Sequence, residues 1–312
     1  MAAPRLFERL RAMDWDPIHW LRLSARTLGK ALTRLWGRDV MLYVGGVSFF
    51  SMLAIFPALA ILIAGYSLLS DPGQAATEAE SLSVLIPVGA RDIFQQELIR
   101  LAHAPHVAMS TQSAFALLIG VYAAHRGFKA MLAGLSFIHE EENQRGFFAF
   151  NLMALFVLIA TLVMMVAVSA IFFGLRIMGS AFDLRPLRGV SWLLSEWTWA
   201  SLGMTAGMSL IYRWAMSRQP VDWRASMLGG ASAAMLCLFA SWATGLYVTQ
   251  LANLGATYGS IATVVVFLIW LSWNVNAIFF GGALATEVEL VIDANARPQL
   301  LTDQSGASPP GS

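Results

Sequence analysis

SAFALLIGVYAAHRGFKAMLAGLSFI, residues 113–138, is the stretch whose reading decides the fold. It is apolar and long enough to cross a bilayer, for which a helix needs about 20 residues. Its middle nonetheless carries His125, Arg126 and Lys129. A charge at the bilayer centre costs roughly 2.5–3.5 kcal/mol on insertion scales, so such a helix is expected not to face lipid all round. Gly120, Gly127 and Gly134 recur every seven residues. That is nearly two turns, so they line one smooth stripe along which another helix approaches closely. The stretch reads as a central helix, packed by the others, that holds a cationic group at depth. A competing reading stays open, in which Arg126 and Lys129 snorkel to the nearer interface and serve structure alone.

The rest of the chain has the same character. Of its 312 residues 57% are hydrophobic and 12% are charged, against about 25% charged in a soluble domain. This is the composition of a polytopic membrane protein. A net charge of +1 provides no basic surface for nucleic acid. One cysteine, Cys237, lies in an apolar run, which excludes a disulfide framework and a cysteine-based zinc site. No cofactor and no metal are expected.

Outward from residues 113–138, the amino end up to residue 39 is basic. Leu21, Leu28, Leu32 and Leu35 fall there at helical spacing among Arg22, Arg26, Lys30 and Arg34. This predicts a basic amphipathic segment on the cytoplasmic membrane face, with a solvated tail as the competing reading. Spans are expected at about 40–70, 113–138, 146–175, 190–212, 225–249 and 258–286. The last two come from one charge-free run, divided near Gln250–Gly259 by Asn253, Gly255 and Gly259. Residues 71–112 are too many for an ordinary loop. The stripe Phe94, Leu98 and Leu101 opposite Asp92, Gln96, Arg100 and His103 predicts short amphipathic helices there. The expected fold is all-α: a polytopic bundle of six transmembrane helices over 40–292, short amphipathic helices at the outer face, and a disordered tail over 293–312. Only Arg91, Arg100, Arg176, Arg185 and Arg188 of the 20 Lys and Arg fall in the outer segments of this topology. The positive-inside rule then places both termini in the cytoplasm.

The candidate ligand-binding residues are His125, Arg126 and Lys129, with Tyr122 one turn before Arg126, Glu196 as a carboxylate partner, and Asn274 and Asn276 as hydrogen-bonding walls. Asn274 and Asn276 are two positions apart and so point about 200° from each other. One is expected to face the bundle interior and the other a neighbouring helix or the membrane boundary. His139-Glu140-Glu141-Glu142 resembles a zinc-protease helix only superficially, because Asn143 stands where H-E-x-x-H needs its second histidine. The acidic run reads as a solvated inner loop. His103 and His106 read as a surface pair. No residue is singled out as catalytic.

Three segments carry a resemblance: Ser48–Pro57, Arg126-Gly127 with Leu135–Arg145, and Tyr258-Gly259-Ser260-Ile261 leading to Trp270-Leu271 and Gly281–Glu287. In them the chain resembles the YihY/BrkB family of bacterial inner-membrane proteins, once labelled ribonuclease BN. The resemblance covers roughly residues 30–290. It departs from the family where Gly282-Ala283-Leu284 lacks the usual acidic residue and Thr286 replaces the usual asparagine. The resemblance implies six helices and an inner-membrane location, while the family's names point variously to serum resistance, RNA processing and envelope lipid handling.

Metal-assisted nuclease chemistry needs clustered ligands, whereas His19, His103, His106, His125 and His139 are scattered along the chain. An acidic run beside His139 would repel RNA phosphates. The expectation is therefore a non-enzyme that transports or handles an anionic lipid or solute of the envelope through a bundle cavity. Membrane lipids are its expected partners, and nucleic acid is not. A non-transporting scaffold or assembly factor is the alternative.

Overall fold

The computed structural model describes residues 17–36, 40–67, 111–139, 146–181, 196–216, 219–247 and 261–306. All regular structure among them is helical: α1 (Pro17–Trp36), α2 (Val40–Ser67), α3 (Thr111–Ile138), α4 (Phe147–Ala181), α5 (Glu196–Trp214), α6 (Trp223–Leu246) and α7 (Ala262–Gly306). Three segments are long and apolar enough to cross a membrane by length and composition, Phe147–Val168, Trp223–Leu246 and Val264–Ala294. Ser24–Trp36 and Val40–Ile55 together form a bent apolar pair whose axes differ by 73°. The expected outer helices of 71–110, the acidic run Glu140–Glu142, the turn at 250–259 and residues 1–16 lie outside the described residues.

The glycine stripe does what its spacing predicts. α2 runs antiparallel along it, with Tyr43 beside Gly134, Phe50 beside Gly127 and Pro57 beside Gly120. Tyr43, Phe50 and Pro57 are themselves seven apart, so the two heptads mesh position by position. A Cβ at Gly134 would stand 2.7 Å from Phe279 Cζ and 3.0 Å from Tyr43 Cβ, and one at Gly120 would collide with the Pro57 ring. In lipid, where apolar association gains nothing from leaving water, such close van der Waals packing is what holds helices together.

The centre of the bundle is α7 rather than α3, which corrects the first expectation. α7 packs against α1, α2, α3, α5 and α6, whereas α3 packs against α2, α4 and α7. The reason lies in Gly281-Gly282-Ala283-Leu284-Ala285, a run of small residues that admits backbone from several sides. A Cβ at Gly281 would stand 2.6 Å from the Gly229 carbonyl oxygen of α6, and one at Gly282 2.5 Å from Leu135 Cδ2 of α3. Tyr212 of α5, fully buried, donates its hydroxyl to the Ile278 carbonyl at 2.6 Å. The wider core gathers round these crossings, with Leu132, Leu135, Ile138, Met216 and Phe279 buried among them.

α7 continues to Gly306, past residue 293 where the sequence reading begins its tail. Leu284, Val288 and Ile292 carry an i, i+4 apolar stripe past the last uncharged turn and against the core. Each further residue then adds a backbone bond to a helix already nucleated. At 1.5 Å per residue α7 is about 68 Å long, well over the roughly 30 Å hydrocarbon thickness of a bilayer.

Candidate functional site

Among the described residues, the sequence-predicted side chains make separate sets of contacts. On α3, the Arg126 Nε donates to the Tyr122 hydroxyl at 3.0 Å, and its guanidinium lies 5.4 Å from that ring's centroid. Both side chains are exposed, in company with exposed Phe115, Leu118, Ile119 and Val121. Among the described residues no carboxylate pairs with Arg126. Its outward position follows from the glycines. Residue 126 lies 100° round the helix from Gly127 and Tyr122 lies farther still, so the stripe that seats α2 turns the guanidinium away from α2. Among the described residues Arg126 therefore stands on an exposed face of α3 beside apolar side chains.

Lys129 turns toward α4. Its Nζ donates to Asn151 Oδ1 at 2.9 Å and lies 5.1 Å and 5.8 Å from the Phe147 and Phe150 ring centroids. Asn151 Nδ2 is held by the Phe147 carbonyl at 2.7 Å, which fixes the amide with its oxygen toward the lysine. His125 is half-buried, and its Nδ1 is buried with no partner among the described residues. Glu196 opens α5, and its side chain lies outside the described residues.

Asn274 and Asn276 bond back to their own helix, Nδ2 to the Trp270 and Ser272 carbonyls at 2.8 Å each. They take opposite flanks of α7, as their spacing requires. The Asn274 flank faces α6, where Cys237 Sγ approaches the Asn274 carbonyl and Trp270 Nε1 donates to Ser241 Oγ. The Asn276 flank faces α2, where Ser272 Oγ meets Ser48 Oγ at 3.4 Å. Neither amide is placed with the α3 cations.

A second polar region, unforeseen in the sequence, lies at the far end of the core. A cavity of ≈ 550 Å³ is lined by Arg34, His139, Arg213, Gln219, Asp222, Thr286, Glu289 and Asp293, with Pro220 and Leu290. Arg34 of α1 is its main tie. Its Nε donates to Glu287 Oε1 at 2.8 Å, Nη2 lies 2.7 Å from the same oxygen, and Nη1 donates to the Ile138 carbonyl at 3.0 Å. One guanidinium thereby pairs with α7 and caps the carboxyl end of α3, where a cation also meets the negative end of the helix dipole.

His139 joins the same helices. Thr286 Oγ1 donates to the Gly282 carbonyl at 3.1 Å and so accepts from His139 Nδ1–H at 3.0 Å. That leaves Nε2 facing Glu289 Oε2 at 3.8 Å. Glu289 Oε1 accepts from the Asp222 backbone N–H at 3.2 Å, and Asp222 Oδ1 caps α6 by accepting from the Arg224 N–H at 2.7 Å. Arg213 lies between Trp214 and Trp223, 5.3 Å and 4.7 Å from their centroids, and donates to the Val221 carbonyl at 2.6 Å. The closing Gly281–Glu287 segment thus supplies both the helix crossings and two of the polar ties. Its sequence hinted at this, since Thr286 and Glu289 stand one turn apart and Arg34 shares a face with Ala31 and Leu35.

The family described as virulence factor BrkB matches residues 31–304, nearly all of this architecture. The chain belongs to the BrkB family. It is also similar to the ribonuclease-like protein YfkH of Bacillus subtilis (strain 168), 26% identical over 174 residues. That match spans 54% of this chain and 63% of YfkH, so the chain covers less than two thirds of that relative's length. No solved structure matches. This BrkB-family chain is accordingly a membrane protein with apolar helices of spanning length.

Proposed function

We propose that this BrkB-family protein handles an anionic lipid of the cell envelope, taken from the side at Tyr122, Arg126 and Lys129, and that it is not an enzyme. The observation that carries this reading is the exposed Arg126 guanidinium on an apolar face, with Tyr122 as its partner and no carboxylate beside it among the described residues. A cation there needs a counter-charge from outside the helix. A phospholipid presents one together with acyl chains that match Phe115, Leu118 and Ile119. The setting is a six-span bundle in the bacterial inner membrane with both termini in the cytoplasm, a topology supported by the basic residues of the inner segments.

The test uses the full chain in nanodiscs of phosphatidylcholine that carry a small share of photoactivatable phosphatidylglycerol. Arg126→Gln is expected to reduce labelling of α3 by about tenfold, the worth of one charge-assisted hydrogen bond. Lys129→Gln is expected to reduce it less, since Asn151 already engages that ammonium. Unchanged labelling in Arg126→Gln overturns the reading.

A scaffold reading has one observation in its favour: Tyr122 and Arg126 already satisfy each other one turn apart. It expects labelling independent of lipid charge. The name of YfkH raises RNA cleavage as a further reading. Here His139 shares its cavity with Asp222, Glu289 and Asp293, and the two arginines there are engaged, Arg34 by Glu287 and Arg213 by the Val221 carbonyl; the full chain is expected to leave RNA intact.

A further inference from the structure

The surface of α1 divides into three sectors, and among the described residues one of them faces protein. At 100° per residue, Thr27, Ala31, Arg34 and Leu35 share a face. Ala31 and Leu35 are buried, and Arg34 reaches Glu287 of α7 and the Ile138 carbonyl of α3. Next to that face, Leu28, Leu32 and Trp36 are 47%, 42% and 65% exposed, a row of large apolar side chains. Beyond them Arg22, Arg26 and Lys30 recur every four residues, all exposed, on a third sector with no acidic residue between Pro17 and Trp36. The axes of Ser24–Trp36 and Val40–Ile55 differ by 73°, so when α2 runs along the membrane normal α1 runs close to the membrane plane.

We infer that α1 is an interfacial helix seated on the surface of a leaflet rich in anionic lipid. Leu28, Leu32 and Trp36 enter the boundary between headgroups and acyl chains, while Arg22, Arg26 and Lys30 meet the lipid phosphates. A helix with an apolar row beside a basic row sinks about 5–10 Å into that boundary, and basic side chains at its edge draw anionic headgroups. A protein covering the apolar row would leave the adjoining basic row without counter-charge, whereas an anionic bilayer surface complements both rows at once. The buried Arg34–Glu287 pair holds α1 in this orientation from the protein side. The inference concerns a surface separate from Arg126 and stands whether or not lipid is taken up there.

The test uses the full chain with Cys237→Ala and single cysteines placed at Arg26, Leu28, Lys30 or Leu32. Each carries a small fluorophore, in vesicles of phosphatidylcholine and phosphatidylglycerol. A nitroxide on the upper acyl chain is expected to quench the probes at 28 and 32, and aqueous acrylamide those at 26 and 30. Replacing phosphatidylglycerol by phosphatidylcholine, or combining Arg22→Gln with Arg26→Gln and Lys30→Gln, is expected to lower nitroxide quenching at 28 by about twofold or more. Equal acrylamide quenching at all four positions means a solvated helix and overturns the inference. Probes at 28 and 32 shielded from both quenchers mean a second copy or another protein on that face, and overturn it too. Quenching indifferent to lipid charge overturns the anionic surface. A simultaneous loss of Arg126-dependent lipid labelling is not expected in any arm, so failure here is distinguishable from failure of the proposed function.

Discussion

Arg34 and Arg126 are the same side chain in opposite circumstances. Arg34 has a carboxylate at 2.7 Å and a helix-terminal carbonyl at 3.0 Å, and its side chain is 12% exposed. Arg126 has a neighbouring phenol at 3.0 Å and stands exposed among apolar side chains. The comparison separates two ways a membrane bundle tolerates charge. A saturated arginine joins helices, so its removal damages the fold. An unsaturated one facing outward adds little to folding, and on the proposed function its counter-charge comes from a lipid.

The largest effect is expected at the saturated end. Arg34→Gln takes the ion-pair partner from the buried Glu287 carboxylate, which costs on the order of 3–5 kcal/mol. Thermal unfolding in detergent should show it as the steepest loss among these variants. The double change Arg34→Met with Glu287→Met removes both charges and should recover much of that loss; equal damage in the double would place the value of Arg34 in packing instead. Gly134→Ala comes next, forcing Phe279 and Tyr43 apart at a cost of about 1–3 kcal/mol, while Gly127→Ala, with 3.5 Å to Phe50 Cβ, should be far milder. Thr286→Val keeps the volume and removes the acceptor for His139, a loss of about 1 kcal/mol in the same assay. The smallest stability change belongs to Arg126→Gln, within about 0.5 kcal/mol, alongside the loss of lipid labelling. A melting temperature that falls as far in Arg126→Gln as in Arg34→Gln would dissolve the comparison.

Much of the fold was legible because long uncharged runs leave a helix few alternatives. The starts of α2 and α4 follow from where charge or glycine stops, at Asp39 and Gly146, and the heptad glycines foretold a close neighbour. The centrality of α7 was harder to read, since Gly281 and Gly282 look like any small-residue pair until Gly229 and Leu135 are brought against them. On α3 the exposed placement of Arg126 was not read from the sequence, although the angle between Arg126 and Gly127 contained it. The polar cavity escaped because Arg34, His139, Asp222 and Glu289 are far apart in sequence. Each taken alone reads as a solvated end of its own helix.

The meshed heptads of α2 and α3 also restrict how this molecule can change shape. With Tyr43, Phe50 and Pro57 seated on Gly134, Gly127 and Gly120, sliding one helix along the other would lift every side chain out of its notch together. The next matching register lies seven residues away, about 10 Å of travel. The pair is therefore geared against piston motion and moves as one body. On the proposed function, a lipid that meets Arg126 on the exposed face of α3 does so without disturbing this seam.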